Sequence, residues 1–397
     1  MPNPLPPTPA AGNSAAGAWS RRRLFSALAA GSTGALLPGV PGRVSPAAAT
    51  DATPAPALGS LAERGICYDT GTEYVPGSGQ FSLQTWDPER VARELAVLHD
   101  DLHCNAVAVF GSDPGRLRQG AEIALRAGLR VWLQPRPIDV DAATLRAVIA
   151  NVAASAEELR QEYGAVGLNL GVEWTIFSAG IIPGATFEER IATLVTSFGE
   201  FPAYNAGLND LLATLRETAR AGFSGPLTYG SGEWEAVDWA DFDAVGVDLY
   251  LDARNRATYR EQVRALHDYG KPVIITEFGC CTYEGAADAG GGGYTIVDWE
   301  ADPPRLNADY VRSEHEQADT ITSLLDIYEA EHVHGAYVFT FIEPEMTYDP
   351  DPLYDLDMAS FGIVKALPAA TGQGYAETGY WEPKLAFTEI ASAYHRE

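Results

Sequence analysis

The 397-residue chain is short of positive charge, of cysteine and of long apolar runs, and each shortage excludes something. Lys and Arg total 27 against 54 Asp and Glu, a net charge of −27. Such a surface repels phosphate backbones and anionic lipid, so no nucleic-acid partner is expected. Lysine is reduced to Lys271, Lys365 and Lys384. Four cysteines, Cys67, Cys104, Cys280 and Cys281, are too few for a disulfide-built scaffold. No CxxC or His-rich spacing suggests zinc, and neither a metal nor another cofactor is expected. The adjacent Cys280 and Cys281 read as small buried hydrophobes rather than reactive thiols.

What is present begins with an uneven N-terminus. The first 49 residues hold four arginines and no acidic residue. Ser20-Arg21-Arg22-Arg23-Leu24-Phe25 precedes an apolar stretch from Leu24 to Leu37, and Ala47-Ala48-Ala49 offers a small-residue cleavage site. This resembles a twin-arginine export signal and implies a secreted bacterial protein. The apolar stretch is too short and too interrupted by Gly and Ser for a stable membrane span, so the mature form is expected to carry none. Residues 50–60 read as a Pro/Ala linker, and residues 61–397 as one domain.

From Leu61 onward, short apolar runs alternate with amphipathic segments. Candidate strands are Gly65–Asp69, Ala106–Gly111, Arg130–Pro135, Val166–Glu173, Leu227–Gly230, Ala244–Tyr250, Pro272–Glu277 and His334–Phe341. Their near-continuous hydrophobicity suits parallel strands buried on both faces. Between them, Asp87-Pro88-Glu89 opens a helix with the stripe Val91, Leu95, Leu98. Further helices are expected at Gly115–Ala127, Ala142–Tyr163, Asn205–Ala221, Tyr259–Tyr269, Asp309–Glu331 and Pro383–Tyr394, with a short one at Glu233–Trp239. Eight such units define the fold class as α/β, a single (β/α)8 barrel. The Gly-rich stretch within Gly285–Asn307 reads as a mobile flap, too Gly-rich for a helix, that brings Tyr294 and Trp299 to the pocket.

In these barrels active sites lie at the C-terminal ends of the strands. Two glutamates stand there: Glu173 ends the run AVGLNLGVEW and Glu277 ends KPVIITEFG. A carboxylate at the edge of a core is costly. Two in matching positions suggest the acid/base and nucleophile of glycoside hydrolysis; satisfaction by loop backbone or an arginine is the competing reading. The same rim offers Tyr68, Asp69, Gln134, Arg136, Trp174, Tyr229, Trp234, Asp248, Tyr250, Phe341 and Glu343. Aromatic platforms and hydrogen-bonding carboxylates of this kind suit sugars, so a carbohydrate is the expected partner.

An acid/base after strand 4 and a nucleophile after strand 7 is the arrangement of clan A glycoside hydrolases. The stretch LTYGSGEWEAVDWADFDAVGVDLYLD resembles strands 5 and 6 of family 113, the β-mannanases, with Asp243, Gly246, Asp248 and Tyr250 matching a DxxGxDxY-like pattern. The resemblance spans roughly Arg64 to Phe341. It implies an exported retaining glycosidase of a β-linked, mannan-like polysaccharide or oligosaccharide, with Glu173 as acid/base and Glu277 as nucleophile. It makes Tyr250 the residue that holds the nucleophile. Tyr68, Asp69, Arg136, Trp174, Tyr229, Trp234, Asp248, Phe341 and Glu343 are the expected substrate contacts. Two departures bear on activity. Val172 stands where many clan members have Asn, and Phe339 and Phe341 replace the usual strand-8 Trp. A catalytically silent glycan-binding barrel, or a barrel with unrelated chemistry, therefore stays open, as does the oligomeric state.

Overall fold

The computed structural model describes residues 61–368 and 380–395. The export signal and linker lie outside the described residues. Eight parallel strands make one sheet: β1 (Glu63–Asp69), β2 (Ala106–Gly111), β3 (Arg130–Pro135), β4 (Val166–Val172), β5 (Leu227–Gly230), β6 (Val245–Asp248), β7 (Val273–Phe278) and β8 (Gly335–Val338). The order is β5-β4-β3-β2-β1-β8-β7-β6. A parallel bridge from Ser231 to Val247 joins the two edges, so the sheet closes into a (β/α)8 barrel.

The helices are α1 (Pro88–Asp100), α2 (Pro114–Arg126), α3 (Ala142–Tyr163), α4 (Trp174–Phe177), α5 (Phe187–Leu194), α6 (Phe201–Gly222), α7 (Tyr259–Ala265), α8 (Ala286–Ala289), α9 (Glu314–Ala330) and α10 (Leu385–Tyr394). Asp87, Asp113, Asp141 and Ser313 start α1, α2, α3 and α9 by accepting backbone N–H groups at the first turn. In α1 the stripe Val91, Leu95 and Leu98 is fully buried against the barrel. Each such side chain contributes roughly 1.5–3 kcal/mol relative to exposure.

Alternate strand residues turn to opposite faces. Inside the barrel lie Cys67, Ala106, Ala108, Phe110, Trp132, Ile274 and Tyr337, while Ile66, Tyr68, Val107 and Val109 join the outer layer under the helices. All four cysteines are free and buried.

Two expectations fail. The link from β5 to β6 holds no helix at Glu233–Trp239. There Ala236 N donates to Asn205 Oδ1 (2.9 Å) and Asp238 N to Asn209 Oδ1 (2.7 Å), so side chains of α6 take the N–H groups a helix would have used. The Gly-rich stretch, in contrast, does form helical turns: α8, then a 3-10 helix over Gly290–Ile296, then a ribbon of Val297–Asp298 with Arg305–Leu306. Glycine is needed for close packing rather than as an open hinge. A Cβ on Gly290 would stand 2.7 Å from Asp252 Cβ, and one on Gly293 2.9 Å from Cys281 Sγ.

Candidate active site

Glu277 reaches the barrel mouth through an irregularity. β7 carries one extra residue against β6, since Val247 pairs with Ile275 but Asp248 with Glu277. Such a bulge re-aims the side chains after it. Thr276 bonds Asp248 at 2.6 Å, Glu277 faces the mouth, and Phe278 packs outward, edge-on to Tyr328. One oxygen of Glu277 accepts from the guanidinium of Arg136, and the other from the Tyr250 hydroxyl at 3.3 Å.

Arg136 comes from the end of β3 and is only 4% exposed. Its guanidinium stands 4.1 Å from the ring centre of Phe110 and 5.6 Å from that of Phe339. It also donates to Gln134 Oε1 at 2.9 Å. Stacking and ion pairing offset the desolvation of the cation, and Glu277 holds it above the ordinary guanidinium range.

Glu173 is supported differently. β4 also carries an extra residue, between Asn169 and Val172, against β5. Glu173 then takes a left-handed backbone, φ 46° and ψ 44°, uncommon for a residue with a Cβ. Its N–H donates to Gly230 O at 2.9 Å, and its carbonyl accepts from Ile176 and Phe177 as α4 begins. Among the described residues its carboxyl has no hydrogen-bond partner. Val172 is buried and points at Gly230, where a Cβ would meet it at 2.6 Å.

These supports separate the two acids. Burial, then the charges of Glu277 and Glu235, push Glu173 well above the usual carboxylate range. Burial also raises Glu277, but Arg136 and Tyr250 pull against it, so Glu277 is the first of the pair to ionise. Asp248, buried beside both, is driven well above its ordinary value by desolvation and by those two neighbours. The surroundings of the two carboxyls thus push their ionisation apart, the arrangement an acid/base pair in one site requires.

The remaining expected contacts divide. Asp69 and Glu343 line a small recess beside Phe110 and Phe339, with Tyr74 and Glu345. Asp69 is tied down by Gly71 N (2.8 Å) and Ser82, and Glu343 accepts from Phe361 N at 2.7 Å. Trp234 is half-buried, its indole N–H on Thr175 Oγ1 at 2.9 Å. Four residues need correction because their side chains pack into the layer outside the barrel rather than into the mouth. Tyr68 points outward and gives its hydroxyl to Glu94 under α1. Phe341 is fully buried between Tyr68 and Trp381. Trp174 is fully buried, its indole N–H bonded to Leu170 O at 2.9 Å, and Tyr229 is fully buried behind it. The strand-8 aromatic at the mouth is Phe339. Tyr294 does face Glu173, and it packs among Ile138, Phe187 and Tyr74. Trp299 joins the separate cluster around Cys280 and Cys281. Sequence reasoning passed over Phe110 and Glu235. Phe110 was within reach, as the inward residue next to the end of β2.

Among the described residues no group of three or more His, Cys, Asp or Glu side chains is placed to hold a metal ion, and no helix is long and apolar enough to cross a membrane.

The barrel has a fold that solved glycoside hydrolases share. Two solved structures of GH113 β-1,4-mannanase, one of them a complex, superpose with TM-scores of 0.53 and 0.54 at 14% identity. Each comparison covers 85% of this chain and 100% of the mannanase. The GH113 β-mannanase of Alicyclobacillus acidocaldarius is also similar, at 14% identity over 84% of this chain and 96% of its own, with a TM-score of 0.49. At this identity the likeness is one of fold. No protein-family model and no curated protein matches the sequence.

Proposed function

We propose that the protein is an exported retaining glycoside hydrolase acting on a neutral, β-linked and mannan-like saccharide. The observation that carries this is the unequal support of two strand-end carboxyls: Glu277 held between Arg136 and Tyr250, Glu173 half-buried with no hydrogen-bond partner for its carboxyl among the described residues. Protonated Glu173 gives its proton to the glycosidic oxygen as the ionised Glu277 oxygen attacks the anomeric carbon and the bond to the leaving group breaks. Glu173 then takes a proton from water, the water oxygen attacks the anomeric carbon, and the bond to Glu277 breaks. Two displacements at one carbon retain the configuration. The net charge of −27 disfavours anionic sugars. The mannan preference rests on the β-1,4-mannanases that share the fold, and export on Arg21, Arg22 and Arg23.

The silent glycan-binding barrel draws its support from Val172, an apolar side chain beside the acid/base. The two readings part on a panel of activated aryl β-glycosides and β-linked polysaccharides, with anomeric configuration followed by NMR. Hydrolysis of a β-mannoside or β-mannan with retention is expected. Binding without turnover across the panel establishes the silent barrel.

A further inference from the structure

The turn that carries Glu173 is gripped by a third carboxylate. Glu235, from the helix-free link after β5, accepts four hydrogen bonds. Thr175 N (3.1 Å) and Thr175 Oγ1 (2.6 Å) donate to one oxygen. Tyr229 OH (2.9 Å) and Gly232 N (3.1 Å) donate to the other. Each hydroxyl in turn receives an N–H: Trp234 Nε1 donates to Thr175 Oγ1 at 2.9 Å, and Trp174 N to Tyr229 OH at 2.6 Å. A hydroxyl that already accepts an N–H has its own hydrogen free to donate. Both chains therefore run one way and end on the Glu235 carboxyl. Trp174 and Thr175 directly follow Glu173, and their N–H groups open α4, where no intrahelical acceptor exists. A left-handed non-glycine residue persists only where its surroundings over-determine it. This network supplies that constraint.

We propose that Glu235 is the positioning residue of Glu173: with Tyr229 and Thr175 it fixes the left-handed turn, and it adds a third carboxylate to the groups around the Glu173 carboxyl. Its kinetic consequence rests on the glycosidase reading; its electrostatic consequence does not. The charged groups acting on Glu173 are Glu277 from β7, Asp248 from β6, Glu233 and Glu235 from the β5–β6 link, and Arg136 after β3. The phenols of Tyr229, Tyr250 and Tyr294 also face it, each raised by burial and neutral in the working range. Glu235 is the member of this set that both bears on Glu173 and holds its turn. Burial pushes Glu235 up to about 7 against the pull of its four donors.

The test is a carboxyl 13C NMR titration of the glutamate-labelled full chain, with Glu173 assigned from the signal lost in Glu173→Gln. Glu235→Gln keeps the size but removes the charge and turns an NH2 against two donors. It is expected to lower the Glu173 midpoint by on the order of one pH unit. An unchanged midpoint in the folded variant overturns the proposal. Tyr229→Phe keeps the charge and loosens the turn, and serves if Glu235→Gln does not fold. It is expected to slow glycosides with poor leaving groups roughly tenfold while sparing activated aryl glycosides. Equal loss on both substrates, or no loss, overturns the positioning role. A wild-type protein inert toward every glycoside, with the midpoint still shifting in Glu235→Gln, leaves Glu235's role standing and removes the glycosidase reading instead.

Discussion

The ends of β4 and β7 solve the same problem in opposite ways. Both strands bulge just before their glutamate, and both glutamates reach the mouth because of it. At β7 the side chain is fixed: Glu277 is clamped by Arg136 and Tyr250 and stays on the strand. At β4 the backbone is fixed: Glu173 sits in a left-handed turn braced from behind by Glu235, Tyr229 and Thr175, and among the described residues its carboxyl makes no hydrogen bond. A nucleophile needs its charge held and aimed. An acid that must release and regain a proton needs a placed backbone and an unencumbered carboxyl. On the glycosidase reading, the difference in support is a difference in role.

The comparison is broken most severely at Glu277. Glu277→Gln keeps the shape and the contact to Tyr250 but removes the attacking charge. On the glycosidase reading kcat should fall by about 10^4 or more, with circular dichroism unchanged; residual activity near wild type would assign attack to another group.

A smaller effect is expected at Arg136. Arg136→Lys keeps a cation but loses the planar fork on Glu277 and the stacking over Phe110. Turnover should drop roughly 10–100-fold. The acid limb of the pH–rate profile should move to higher pH, because a weaker partner leaves Glu277 harder to ionise. A limb that stays in place would show that Arg136 only packs.

The smallest effect is on stability and has the opposite sign. Burial raises Glu173 in the folded state above an unfolded value of about 4.3, so between the two values the folded chain holds the extra proton. Stability therefore falls as pH rises through that window, and the loss is complete above the folded value. Glu173→Gln removes the penalty. It should stabilise the protein by ~1–2 kcal/mol at neutral pH and by nothing near pH 4, read from urea unfolding at both. A variant no more stable than wild type at neutral pH would mean that Glu173 is not held protonated.

Much of this was legible in the sequence, and the failures share a cause. The eight strands and both glutamates followed from apolar runs ending in a charge, which is a local pattern. Tyr68, Trp174, Tyr229 and Phe341 were misplaced because lying near a strand end does not say which way a side chain turns: Tyr68 and Tyr229 turn outward from their strands, Trp174 opens a helix and Phe341 lies past the end of β8. Phe339 and Phe341 are two apart on paper, yet the first lines the mouth and the second is buried behind it. Glu235 escaped notice because it lies in the least regular link, and its partners Thr175 and Tyr229 come from α4 and β5. Gly290 and Gly293 of the Gly285–Asn307 segment were read as freedom when they serve contact.

The opposed roles meet their most direct test in Glu173→Ala supplied with azide. An activated aryl β-glycoside needs no acid, so Glu277 should still be glycosylated while the second step stalls for lack of a base. Azide should then restore turnover and yield a β-glycosyl azide of retained configuration. Full activity without azide would contradict the assignment of Glu173, and an azide product of inverted configuration would contradict attack by Glu277.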